Sequence, residues 1–170
     1  GLGEQNLEVV ARHLVMVLQC LEDAPELAYR HARAAAERAG RVAVIREYAG
    51  LTSYFTDRYA EAVRELRTYQ RISGERHYSA ILADALRGIG KPEEALEAVA
   101  AARGFQLEPE EVAEIAIVEA GAHADLKEFG AARVTLDRAL RTQADPLLRQ
   151  RIVEARAVIE AEAAKGAEEQ

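Results

Sequence analysis

A short segment recurs four times along the chain at a nearly constant interval. Each copy is a turn, then a bulky or proline residue, two spacers and an alanine. The copies read Asp23-Ala-Pro25-Glu-Leu-Ala28, Asp57-Arg-Tyr59-Ala-Glu-Ala62, Gly90-Lys-Pro92-Glu-Glu-Ala95 and Lys127-Glu-Phe129-Gly-Ala-Ala132. The four alanines are 34, 33 and 37 residues apart. A unit of this length is one supersecondary element that cannot bury its apolar face alone, so it must stack on its neighbours. The sequence between the copies is helical in period, rich in Ala, Leu, Glu and Arg, and shows no alternating run of strand length. Breakers at Pro25, Gly40, Asp57, Gly74, Gly88 to Pro92, Gly104, Pro109, Gly130 and Pro146 predict about nine helices.

The small and bulky positions around each copy follow the same register. Gly50, Ala83 and Ala120 occupy a small position in the first helix of successive units. Ala32, Leu66, Val99 and Leu136 lie four residues after each signature alanine, and Ala35, Ala102 and Ala139 three further on, where Tyr69 departs from the pattern. Together these features resemble the tetratricopeptide (TPR) repeat over about residues 9–145, and are similar to small TPR proteins of actinobacteria, many without assigned function. The resemblance implies an all-α fold: a right-handed α-solenoid of four TPR-like helix–turn–helix repeats (about 9–42, 43–75, 76–108 and 113–145) in one domain over 1–170. A capping helix is expected at about 146–165, with Leu147, Leu148, Ile152, Ala155 and Ile159 on one side, and a frayed tail at 166–170. Three extra residues enter between the third and fourth units, where Phe105 and Leu107 are expected to tuck under the stack.

Charge and motifs narrow the function. The net charge is −7, which argues against nucleic acid as a direct partner. All of that excess lies in residues 80–130, an acidic stretch suited to a basic partner or simply to a solvated helix face. The longest apolar stretch, Leu14 to Leu21, is too short to span a membrane. No basic segment precedes a cleavage site, and the chain opens on Gly1 rather than Met, as a trimmed chain would. One Cys allows no disulfide framework and no Cys-based zinc site, so a reducing, cytoplasmic setting is expected. Gly88-Ile-Gly90-Lys91-Pro92 lacks the Ser/Thr of a phosphate loop and follows a helix. The three serines show no nucleophile-elbow setting, and His13, His31, His77 and His123 are not spaced as a ligand pair on one helix. No catalysis, cofactor or metal is expected.

In the TPR family the first helix of each repeat lines a concave groove. Carried over, the resemblance implies groove positions at His13 and Val17, at Glu47, Tyr48, Leu51, Tyr54 and Phe55, at His77, Asp84 and Arg87, and at Glu114. Chaperone-binding members grip a carboxylate with Lys, Arg and Asn. The matching places here hold His13, Val17, Tyr48, His77 and Ile81, so a chaperone tail is not the expected ligand. The implied groove is apolar and aromatic towards its N-terminal half and acidic beyond it. The partner expected is a protein or peptide with apolar anchors and a basic end. The first helix is apolar almost all round, so either residues 1–8 cover it or it meets a partner or a second copy. The alternative function is an RNA-associated or regulatory module of a larger protein.

Overall fold

The computed structural model describes residues 3–168. Among them are nine α-helices: α1 (Glu4–Cys20), α2 (Pro25–Ala39), α3 (Ala43–Phe55), α4 (Tyr59–Ser73), α5 (Ser79–Gly88), α6 (Pro92–Ala102), α7 (Pro109–Asp125), α8 (Phe129–Thr142) and α9 (Pro146–Glu168). No strand occurs among the described residues. The protein is therefore all-α. It forms two compact units, Gly1–Glu75 and Arg76–Gln170.

In the first unit α1 packs on α2, α2 on α3 and α3 on α4. In the second, α5 packs on α6, both pack on α7, and α8 and α9 close around α7. The recurrent alanines lie in the core. Ala28, Ala62, Ala95 and Ala132 are each 0% exposed. Leu66, Val99 and Leu136, one turn on, are buried as well. A Cβ on Gly50 would stand 2.6 Å from Leu66 Cγ, so this position must be glycine for α3 to seat against α4.

The turns repeat as closely as the helices. Asp57, Gly90 and Lys127 all take left-handed φ, at 60°, 75° and 63°. In each case the next amide bonds back across the turn: Arg58 N to Ser53 O (2.8 Å), Lys91 N to Leu86 O (2.9 Å) and Glu128 N to His123 O (2.8 Å). These bonds satisfy carbonyls that the preceding helix leaves open. The Asp23 turn is built differently, with Ala24 N bonding to Cys20 O at 2.8 Å. Pro25, Pro92, Pro109 and Pro146 each open a helix, where a missing N–H costs nothing.

Several expectations are corrected. α5 starts only at Ser79, because Tyr78 adopts φ 62° and cannot continue a helix backwards; His77 therefore precedes the helix. Phe105 does not tuck under the fold. It is 41% exposed, with the Arg76 guanidinium 4.8 Å above its ring, while Leu107 is half-buried. In α9, Ile152 and Ile159 are buried and Leu148 and Ala155 pack against them, but Leu147 is 73% exposed. The helix continues through Gly166 to Glu168, where a frayed tail was expected; Glu169 and Gln170 lie outside the described residues. Residues 4–8 extend α1 rather than covering it, which leaves Leu7, Val15 and Leu18 more than half exposed.

Candidate functional site

The expected groove residues fall in both units, and each unit has its own geometry. In the first, Val17 is 0% exposed, packed on Ala28 and Ala32, and Leu51 is 7% exposed. Both belong to the core and offer nothing to a ligand; at Val17 it is α2 that covers the face the family register assigned to a groove. Tyr48 is half-buried against the Val17 cluster, and Glu47 is half-buried. Cys20 packs on the same cluster and is only partly buried.

Tyr54 and Phe55 do form an aromatic corner. Their rings meet edge-on at 5.5 Å, and Tyr54 also packs on Tyr59 at 5.8 Å. Phe55 is 49% exposed at the end of α3. Tyr29 is clamped nearby, with its hydroxyl donating to Glu61 Oε2 at 2.9 Å and Arg58 lying 4.0 Å over its ring. Burial, and then the Glu61 carboxylate, push the Tyr29 hydroxyl above its ordinary pKa.

His13 faces α2, where its Nδ1 lies 2.9 Å from Nδ1 of His31, with ring centroids 5.2 Å apart. One nitrogen must donate and the other accept, so at most one of the two rings can carry a second proton while the bond persists. Burial first, then the neighbouring His31 and Arg38, hold His13 below its ordinary pKa.

In the second unit the polar residues are joined in pairs. Arg87 of α5 reaches α7, donating from Nε to Asp125 Oδ2 at 2.7 Å and from Nη2 to Asp125 Oδ1 at 3.2 Å. It also donates from Nη1 to Asp84 at 3.1 Å. The guanidinium lies flat on Gly121, where a Cβ would come within 2.5 Å of its Cζ. Burial opposes the charge, but the Asp125 bonds and the charges of Asp125, Asp84 and Glu162 outweigh it and hold Arg87 above its ordinary pKa. His77 Nδ1 sits 2.9 Å from Glu111 Oε1. Glu114 Oε1 lies 2.6 Å from Arg151 Nη2, a charge contact out of line with a hydrogen bond. His123 pairs with Glu128 at 2.7 Å. Asp84, Asp125, Glu114 and Glu119 of the acidic stretch thus meet arginines within the second unit.

The structure therefore brings together Asp84 with Arg87 and Tyr54 with Phe55. Within the first unit, the half-buried His13 turns to His31, a residue that sequence reasoning left aside. Also missed were Glu61, Glu65, Glu119 and Asp125 as ion-pair centres. One signal could have found several of them. Partners recur about one repeat apart: Glu26 with Arg58 and Tyr29 with Glu61 (32 residues), His77 with Glu111 (34) and Arg87 with Asp125 (38). Among the described residues no group of three or more His, Cys, Asp and Glu side chains could hold a metal ion. Nor is any described helix long and apolar enough to cross a membrane. No protein-family model matches the chain, and no curated protein matches it.

Proposed function

We propose that this chain is a non-catalytic, cytoplasmic protein-interaction scaffold of TPR type, a right-handed solenoid of four repeats and a capping helix. The observation that carries this reading is the recurrence of one turn. Asp57, Gly90 and Lys127 share the left-handed conformation and the same backbone bond, each five residues before a fully buried alanine. Stacked helix pairs of this kind serve to present surface to a partner. In the first unit the exposed Phe55 beside Tyr54 is the anchor for an apolar peptide or helix, since aromatic anchors dominate interface energies. The bare stripe of Leu7, Val15 and Leu18 on α1 favours docking of a partner or of a second copy at that end.

The test is an affinity capture from the lysate of the native cells, treated with RNase and read by mass spectrometry, using the wild-type chain and Phe55→Ser. A discrete protein retained by the wild type and lost by the variant supports the reading. An RNase-sensitive catch, or one indifferent to Phe55, overturns it.

A further inference from the structure

The second unit holds a cavity of about 460 Å³ where the longer connection between α6 and α7 runs past α8. That size is within the roughly 300–1,000 Å³ of small-molecule sites. Phe105, with the Arg76 guanidinium 4.8 Å from the centre of its ring, forms one wall of the cavity. Its apolar lining is Phe105, Leu107, Val112, Ile115, Ala116 and Ala139.

Its polar lining is Arg103, Glu119, Thr135, Arg138 and Thr142. Glu119, with its side chain 11% exposed, hydrogen-bonds Arg103 Nη2 and lies 3.6 Å from Arg138 Nη2. One carboxylate thus faces two guanidinium groups, leaving an excess positive charge. Arg138 is held only by that loose contact, and its side chain, 54% exposed, makes no hydrogen bond to another described residue. Thr135 lies one turn before it on the same face of α8. Thr135 is 5% exposed and lines the cavity, and its hydroxyl also has no hydrogen-bond partner among the described residues.

We propose that this cavity binds a small amphipathic carboxylate, a medium-chain aliphatic acid. Its head group bonds to Arg138 and the Thr135 hydroxyl, and its tail lies over Val112 and Ile115 against Phe105 and Leu107. The excess cation selects an anion, and the planar guanidinium fork fits a carboxylate. The apolar walls require a tail that a purely ionic ligand lacks. The site goes beyond the scaffold role and is tested by a different readout, so either can fail alone.

The experiment is a titration of the ¹⁵N-labelled protein with decanoate below its micelle concentration, followed by amide chemical shifts. Butyrate and decyltrimethylammonium serve as the head without the tail and the tail with the opposite charge. Saturable decanoate shifts confined to residues 103–119 and 135–142 are expected, with both controls at least about tenfold weaker. Arg138→Gln should weaken decanoate about tenfold, the factor for one charge-assisted hydrogen bond. Val112→Trp, at a position 49% exposed, should block the cavity without entering the core. Thr135→Val should weaken binding severalfold and leave folding unchanged. Absent or unsaturable shifts, equal binding of the cation, or decanoate binding untouched by Arg138→Gln and Val112→Trp would each overturn the proposal.

Discussion

Gly50→Ala tests the packing logic most directly. In a helix interior the change from Gly to Ala ordinarily stabilises by about 1 kcal/mol. Here the added methyl would lie 2.6 Å from Cγ and 2.7 Å from Cδ2 of Leu66, and 3.3 Å from its backbone nitrogen. Leu66 is 0% exposed and its Cγ lies next to the backbone, so no free side-chain end can swing away. The α3–α4 contact must open, and overpacking of this kind costs about 1–3 kcal/mol. Two side-chain atoms inside 3 Å put the cost in the upper half of that range, about 2–3 kcal/mol, so the net loss expected is about 1–2 kcal/mol. Leu66→Ala alone should cost about 2–5 kcal/mol through its cavity. In the double variant the new methyl enters the space the leucine leaves, so the combined loss should fall about 1–2 kcal/mol short of the sum. The assay is urea unfolding followed by tyrosine fluorescence. Five of the six tyrosines, at 29, 48, 54, 59 and 69, lie in the first unit, so the signal reports on it. A Gly50→Ala variant as stable as the wild type, or strictly additive losses, would refute the argument.

Three further outcomes are expected. Lys127→Gly should raise the unfolding midpoint by about 1 kcal/mol equivalent, because a left-handed φ of 63° strains a side chain. Gly90→Ala should cost about as much, although nothing lies within 4 Å of its Cβ position; calorimetry of both variants checks the pair. Glu65, 2% exposed, is held by Arg46 at 2.5 Å with Arg33 and Arg64 near, so Glu65→Ala should cost about 3 kcal/mol in denaturant titration. The cost stays at the low end of the range for buried pairs because Arg46, 24% exposed, can turn to water. The last outcome concerns pH. His13 is held below its ordinary pKa in the fold, so the unfolded chain takes up the proton first as pH drops. Stability from this group is complete above about pH 6.5 and falls as pH descends through the lower folded value, below which the loss levels off. His31 and Arg38 are the charges it faces. Melting temperatures from pH 7.5 to 5 should decline less steeply for His13→Gln, and equal slopes would remove His13 as the cause.

The helix count and the buried alanines were legible because their causes are local. Proline and glycine end helices through their own backbone geometry, and a small residue at a recurrent place marks where two helices must touch. Ala28, Ala62, Ala95 and Ala132 could therefore be read as contact points before any coordinates. Tyr78 was not readable in this way. A tyrosine with φ 62° is held there by its surroundings rather than its own preference, and it shortened α5 and displaced His77. The candidate site was less legible than the fold. The family register placed Val17 and Leu51 on a surface, and tertiary packing took both into the core, Val17 against Ala28 and Ala32 of α2.

The sequence alone determined that this chain is helical, where its helices break and which small residues lie between them, since these follow from propensity and spacing along one strand of backbone. Only the tertiary structure decided which charges meet. Arg87 reaches Asp125 because Gly121 leaves room for its guanidinium, and Glu119 gathers Arg103 and Arg138 beside an open cavity. Such contacts depend on the distance and angle between helices, and long flexible side chains reach whichever partner that placement brings within about 3 Å.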